Sequence, residues 1–484
     1  MDLSTIIFNF TGNNKIMKKL LLYTFIVFIN RVSLCQTYIE KTYGGTQSDK
    51  SLSTAKTLDS GYVFCGSTES FGNGMSDLYV VCTDSIGDTI WTNSYGSAEN
   101  EFGMSIKALE NGNFIACGTA TVSGSTDIYV VMISKFGLPV WVKTFGGAGR
   151  QNGYDVLPTS DGNFLVIGDT PGQSTDIKII KIDAGGNEIW AKELGGSGID
   201  VAQKIIPLLD GGFLLCGYTT SSGAGGSDMF IIKLDSSGTS QWSKTYGGGQ
   251  SDVCFDALQM ADSSYLLCGN TNSFGNGQSD GFIIKISSTG DSLWSKTYGK
   301  SESDGFYSIQ FLEDDTLNGF ILAGFTYSFG YGSSDMYLVR IDSAGEELWF
   351  QTFGGSGLEE AHTVLPLGRE WFALAGVSET FGSGMADVFF VRASEPIPIG
   401  MKETIIPVEN KYTSVVTRGG FLKIFNSDFN NSPYTIYNMT GCKIESGNLI
   451  EGAMHISNFI SPGLYLINFM DFSKRRIIKK IVVL

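Results

Sequence analysis

An aspartate followed 14 residues later by a tryptophan recurs six times along this chain, at a period of about 50 residues. That repetition limits the fold more than any other feature, because a fixed period of this length means one supersecondary unit copied in series. The pairs are Asp77 and Trp91, Asp127 and Trp141, Asp176 and Trp190, Asp228 and Trp242, Asp280 and Trp294, and Asp335 and Trp349. A seventh copy supplies Asp387 without a tryptophan. Each aspartate precedes an apolar, strand-like run such as Met229-Phe230-Ile231-Ile232. A separate glycine column, from Gly66 through Gly217 to Gly376, ends another apolar strand in all seven copies.

Each copy reads as four short strands. In the copy beginning at Trp242 they are Trp242 to Tyr246, Cys254 to Gln259, Tyr265 to Cys268 and Phe282 to Ile286. β-Branched and aromatic runs bounded by Gly, Asp and Ser are strands, not helices. A four-residue link such as Asp235-Ser236-Ser237-Gly238 joins each aspartate strand to the next tryptophan strand. A type I turn closed by a left-handed glycine explains its fixed last residue. Four strands at this period are the mark of propeller blades. The expected fold class is therefore all-β, with a seven-bladed β-propeller over residues 36–394. A parallel β-helix is the alternative, but its coils are shorter and lack tight antiparallel hairpins. The last copy stops at Arg392 without a tryptophan strand, while the chain opens with a spare strand, Thr37 to Tyr43. That spare strand is expected to complete the last blade, which removes a sheet edge and ties both ends of the ring.

The recurring side chains allow a functional and a packing reading. Seven aspartates could ring a Ca²⁺ ion or a sugar. They could equally cap their strands by accepting backbone N–H bonds in turns such as Phe274 to Ser279. A residue present in every copy serves every blade alike, which favours capping. The tryptophans are expected to pack between neighbouring blades. A second acidic column, Asp49, Glu101, Asp200, Asp252, Asp304 and Glu359, is broken by Gln151 and reads as polar loop residues at one rim. Lys181, Lys233, Lys285, Arg340 and Arg392 form a basic column that should pair with carboxylates. Cys65, Cys117, Cys216 and Cys268 stand where other copies have Ile167, Ala323 or Ala375, so they are small apolar packing residues.

Chemistry is sparse. The chain has two histidines, His362 and His455, in 484 residues, which leaves little room for histidine-based catalysis or zinc binding. There is no CxxC pair and no Gly-x-Ser-x-Gly elbow beside a usable histidine. Glu359, Glu360 and His362 could do acid–base work, but no nucleophile accompanies them. We therefore expect no catalytic, cofactor-binding or metal-binding residues and no enzymatic activity. The net charge of −16 would repel phosphate backbones, so nucleic acid is not an expected partner.

Residues 1–35 contain a leader. From Met17, the expected start, a Lys18-Lys19 pair precedes an apolar run to Ile29 and a short polar stretch before Gln36. That layout is a secretory signal peptide, and the run is too short to span a bilayer. Cys35 could alternatively be lipidated, although Leu34 before it is bulky. No integral membrane segment is expected.

After a linker over 395–411, residues 412–484 read again as short strands: Phe421 to Phe425, Tyr434 to Tyr437, Met454 to Ile456, Leu464 to Phe469 and Ile477 to Val483. A small C-terminal β-sandwich is expected. Its motifs are Ile436-Tyr437-Asn438-Met439-Thr440-Gly441, Pro462-Gly463-Leu464-Tyr465 and the terminal Lys479-Lys480-Ile481-Val482-Val483-Leu484. In order, spacing and end position they resemble the C-terminal sorting domain of the type IX secretion system. The resemblance assigns the sorting signal to Gly441, Gly463, Tyr465, Lys480, Val482 and Val483. The repeat Asp235 to Gly248 resembles those of secreted propeller-like proteins of Bacteroidetes, and more loosely the tryptophan-docking repeats of quinoprotein dehydrogenases. The acidic and histidine set of the quinone centre is missing here. The resemblance implies passage through the periplasm, recognition by the type IX translocon, and a secreted or outer-surface destination. The expected function is a non-enzymatic module that binds an extracellular glycan or protein. The alternatives are an enzyme such as a lyase or cofactor-dependent oxidoreductase working at the central channel, and a structural surface-layer component.

Overall fold

A computed structural model of the chain describes residues 39–395, apart from 171–173, 313–318 and 369–370. Beyond them it describes the backbone of seven strands between 414 and 483. The leader with Cys35, most of the linker and Gly441 lie outside the described residues. Two compact units separate, one over 38–396 and one formed by 1–37 with 397–484.

The larger unit is a seven-bladed β-propeller. Every blade is a four-stranded antiparallel sheet with strands in chain order from the ring axis outward, except the last. Blade 4 is typical, with strands Asp200–Pro207, Phe213–Thr219, Asp228–Leu234 and Ser240–Tyr246. Its two middle strands carry consecutive apolar residues because neighbouring blades cover both of their faces. The outermost strand is exposed except at Trp242 and Tyr246, which are half-buried, as fits a strand with one free face. Its hairpin turns at Asp235–Gly238, where Gly238 has a φ of +77° and donates its N–H to Asp235 O at 2.9 Å. An L side chain would be strained there.

The innermost strands pack consecutively around the axis, blade 1 against blade 2 and so on until blade 7 returns to blade 1. Closure is the three-plus-one arrangement read from the sequence. Ile39–Tyr43 pairs antiparallel with Asp387–Ser394, with Ile39 opposite Arg392 and Tyr43 opposite Val388. All seven innermost strands also carry a β-bulge at the same place, between Ser51 and Ser53 in blade 1 and between Ala361 and Thr363 in blade 7. The extra residue breaks the ladder and turns one side chain toward the axis.

In the second unit the five strands expected from sequence are present, and Ser414–Val416 and Lys443–Asn448 join them. A five-stranded sheet runs Ser414–Val416, Arg476–Val483, Gly463–Met470, Pro433–Asn438, Lys443–Asn448, beside a two-stranded sheet of Phe421–Lys423 and Ala453–His455. Gly463 pairs with Val483, and Tyr465 lies one position along from the Leu466–Lys480 pair on the same two strands.

Deleting 36–44 leaves the edge of the Asp387–Ser394 strand unpaired. The shortened chain is expected to melt roughly 10 °C lower and to form oligomers through that edge. Thermal unfolding and size-exclusion chromatography check this, and a monomer with the full-length melting temperature would contradict it.

Candidate functional site

The tryptophans lie at the blade junctions. Trp91 donates its ring N–H to Lys135 O in the hairpin turn of the next blade at 3.1 Å, and Trp141 does the same to Ala184 O at 3.0 Å. A Cβ on the turn glycine Gly238 would come within 2.7 Å of the Trp190 ring, so the glycine serves both the turn and the ring packed on it. Tyrosines four residues on add a second grip, with Tyr246 donating to Gly290 O at 2.6 Å and Tyr298 to Gly345 O at 2.7 Å. Across the closure Tyr43 donates to Gly87 O at 2.7 Å, so the first and last strands hold blade 1 by the same bond.

Five of the seven aspartates open the third strand of their blade and accept backbone N–H groups from the turn before them. Asp77 Oδ2 takes Asn73 and Gly74, Asp335 takes Tyr331 at 2.8 Å, and Asp387 takes Ser383 and Gly384. Asp127 and Asp176, in the copies with shorter turns, each keep one buried oxygen without a partner among the described residues. The second acidic column differs from its reading as rim loop residues: Asp49, Asp252, Asp304 and Glu359 are fully buried, each at the start of an innermost strand. Asp252 accepts from the Thr271 hydroxyl, from Ser273 Oγ at 2.7 Å and from Gly248 N at 2.9 Å. Alternation from the apolar residues could not reveal this, because the burial comes from hydroxyls in a strand some twenty positions away.

The two acidic columns meet. A Cβ on Gly354 would lie 2.2 Å from Asp335 Oδ1 and 2.6 Å from Glu359 Oε2, so two carboxylates face each other over a residue that must be glycine. Burial, and secondarily the Glu359 charge, push the Asp335 carboxyl up to about 6. Asp228, Asp280 and Asp387 are raised for the same two reasons.

The bulges build the axis. Each innermost strand is an edge of its own sheet, so alternate N–H groups point away from the adjacent strand, and at four junctions a side chain of the preceding blade takes the one two residues past the bulged position. Ile106 N donates to Ser53 Oγ at 3.1 Å, Ile205 N to Asp155 Oδ2 at 3.2 Å, Ile309 N to Asp256 Oδ2 at 3.1 Å and Val364 N to Ser308 Oγ at 3.3 Å. In blades 2 to 5 this layer is charged. Lys107 lies 3.0 Å from Asp155, and Lys204 lies 3.8 Å from Asp256. Burial alone would raise Asp155, but Lys107, Lys204 and the Ser105 hydroxyl outweigh it and hold the carboxyl low. Burial would lower Lys204, yet the carboxylates of Asp155 and Asp256 outweigh it and keep the ammonium charged. For Lys107 burial prevails and the ammonium is lowered. Unlike ionisable groups therefore converge at the axis; each already has a partner of opposite charge.

The bulged residue itself varies between blades, tyrosine alone occurring twice. Blades 1 and 2 have Leu52 and Met104, and blade 4 has Gln203. The others have Tyr154, Phe255, Tyr307 and His362, all half-buried. The Tyr307 ring stacks on His362 with centroids 4.5 Å apart and a 22° tilt, meets Phe255 edge-on at 5.0 Å, and lies 5.4 Å from Phe325. Tyr307 donates its hydroxyl to Glu360 Oε2 at 3.4 Å, and His362 Nε2 lies 3.4 Å from the same oxygen. Of the Glu359, Glu360 and His362 trio, Glu359 is used by the framework, while the other two face the axis. Across the ring Tyr154 donates to Asp169 Oδ2 at 3.0 Å. Aligning the copies on the second acidic column exposes this position, because it varies three residues past an acid that is nearly fixed. Among the described residues no group of three or more His, Cys, Asp and Glu side chains forms a metal site.

No protein-family model and no curated protein matches the chain. Solved structures do, at low identity. The extracellular domain of a hybrid two-component system from B. thetaiotaomicron is 12% identical with a TM-score of 0.42, and the match covers 92% of this chain and 59% of that one. Sqt1 from Chaetomium thermophilum, bound to the N-terminus of ribosomal protein L10, is 10% identical with a TM-score of 0.43, covering 74% and 98%. A puromycin hydrolase is 13% identical with a TM-score of 0.42, covering 74% and 52%.

Two outcomes are expected. Asp155→Ala strands two ammonium groups and the Ile205 N–H, and should cost about 3–5 kcal/mol by chemical denaturation; a loss below about 1 kcal/mol would contradict the pairing. Asp335→Asn retains an acceptor for Tyr331 and removes one of two facing charges. Because the folded-state pKa is raised, wild type is penalised above pH 6 and not below the unfolded value near 4. The variant should therefore melt about 2–3 °C higher at pH 7.5, with the gap closing by about pH 4.

Proposed function

We propose that this chain is an exported, non-enzymatic binding protein whose propeller takes an extracellular glycan or protein at the aromatic end of its axis. The observation that carries the reading is the division between fixed and varied positions. Tryptophan, tyrosine, glycine and both acidic columns hold blades together, whereas the bulged position varies among the copies and collects Phe255, Tyr307 and His362 beside Glu360. Aromatic faces beside polar acceptors suit recognition of ligands with both apolar and hydrogen-bonding surface. The second unit supports export by type IX secretion through its resemblance to sorting domains, with Gly463, Tyr465, Lys480, Val482 and Val483 on its two longest strands. In this reading the protein crosses the periplasm and ends secreted or on the outer surface.

A second reading draws on a specific feature, the Lys107, Asp155, Lys204 and Asp256 group, in which an ammonium with a lowered pKa would serve as base for an enzyme working at the axis. The binding reading is favoured because those four groups neutralise one another.

Glycan and peptide arrays probed with the purified chain and with Tyr307→Ala test the proposal. A ligand captured by wild type and at least tenfold more weakly by the variant is expected; a ligand that binds both alike would contradict the assigned end. Truncation at residue 411 should leave the propeller in the periplasm by cell fractionation, and surface delivery of the truncated chain would refute the sorting role.

A further inference from the structure

Cysteine precedes the recurring glycine on the second strand of blades 1, 2, 4 and 5, at Cys65, Cys117, Cys216 and Cys268. What the sulfur meets in the next blade is set by the third residue of that blade's innermost strand. In blades 2 and 3 that residue is glycine: a Cβ at Gly103 would strike Cys65 Sγ, and one at Gly153 would come within 2.9 Å of Cys117 Sγ. The sulfur-to-Cβ separation across a disulfide is about 3 Å, because the S–S bond itself is about 2 Å long. In blade 6 the position is Phe306, in the same core cluster as Cys268. In blade 5 it is Cys254. Cys216 and Cys254 lie in one core cluster, 1% and 0% exposed, and their thiols share a hydrogen bond. Cys254 in turn donates to Asp256 O at 3.5 Å. No other junction among the described residues has cysteine on both sides at these positions.

The same junction is short of other ties. Ile106, Ile205, Ile309 and Val364 have their N–H groups held by the preceding blade, whereas that of Ala257 is taken by Asp256 of its own strand. The ion pair crossing here, Lys204 with Asp256, is 3.8 Å long, against 3.0 Å for Lys107 with Asp155. Resting on the reading of the chain as exported through an oxidising compartment, we propose that Cys216 and Cys254 are joined by a disulfide that staples blade 4 to blade 5. The co-reactant is itself a disulfide, carried by a protein oxidant or by glutathione. One cysteine thiolate attacks it, forming a mixed disulfide and expelling one thiol. The second thiolate attacks that mixed disulfide, the Cys216–Cys254 bond forms and the other thiol leaves. Two electrons and two protons pass to the oxidant. The hydrogen bond to Cys254, then burial, hold the Cys216 thiol well above its usual range, and burial raises that of Cys254. Neither thiol reacts once the blades have closed, so the bond forms while they assemble.

Mass spectrometry of the full chain collected outside the cells, unfolded, alkylated without reduction and digested, tests the staple. The peptides of Cys216 and Cys254 should be recovered joined, two hydrogen atoms lighter than their sum, with Cys65, Cys117 and Cys268 alkylated. The chain as collected should melt roughly 5 °C above the same chain refolded in reductant. Cys216→Ala, at a position where other copies carry Ala323 and Ala375, should fold, melt with the reduced chain and ignore reductant. If the two cysteines only pack, reductant shifts neither chain and the staple is overturned. Both thiols alkylated in chain found outside the cells, or Cys216 joined to a different cysteine, would also overturn it and leave the export reading standing. A chain that never leaves the cytoplasm would refute export separately. Refolding of the reduced chain in a glutathione redox buffer then decides the staple, joined peptides supporting it and free thiols overturning it.

Discussion

A backbone N–H that points away from its own sheet deep in a protein has to find an acceptor, since leaving it bare costs about as much as a lost hydrogen bond. In this propeller each innermost strand bulges at the same point, and the acceptor for Ile106, Ile205, Ile309 and Val364 comes from the blade before. The same position in blades 3 and 5 is satisfied internally, with Asp155 and Asp256 also accepting from their own next residues, Val156 and Ala257. No blade that relies on its neighbour can be finished alone. The ring is a consequence of that dependence, and the latch of Ile39–Tyr43 onto Asp387–Ser394 makes the dependence circular.

Farther from the axis the same logic is repeated with different groups. The tryptophan and tyrosine of one outermost strand hold the hairpin turn of the next blade, and the buried acidic residues knot strand ends together with threonine and serine hydroxyls. These interactions stabilise the blade junctions at one cost. The facing carboxylates over glycines such as Gly354 leave the junctions carrying like charges in partial burial, which is why Asp335 titrates well above an ordinary aspartate.

Blade number, strand order within a blade and the three-plus-one closure were legible because they rest on local signals: apolar runs, left-handed glycines and a fixed spacing. Asp77 and Trp91 could be read as structural for the same reason, since a residue required by every copy answers a demand common to every copy. The burial of Asp252 was not legible, because it depends on Thr271 and Ser273 arriving from the next strand. Nor was the convergence of Lys107, Asp155, Lys204 and Asp256, which stand about 50 residues apart in sequence and become neighbours only once the ring closes. The grouping of Tyr307 with His362 and Glu360 needed both the bulge and the order of the blades. Periodicity reports what the copies share; a site made where they differ has to be found by subtracting the shared pattern.

Native-state hydrogen exchange at four amides tests most directly whether neighbouring blades complete one another. If they do, Ile106, Ile205, Ile309 and Val364 exchange only through global unfolding, with the same free energy and denaturant dependence as the central strands. Exchange of those amides by local fluctuation, while their own blades stay protected, would mean that each sheet stands by itself and that the ring is held by something other than the bonds described.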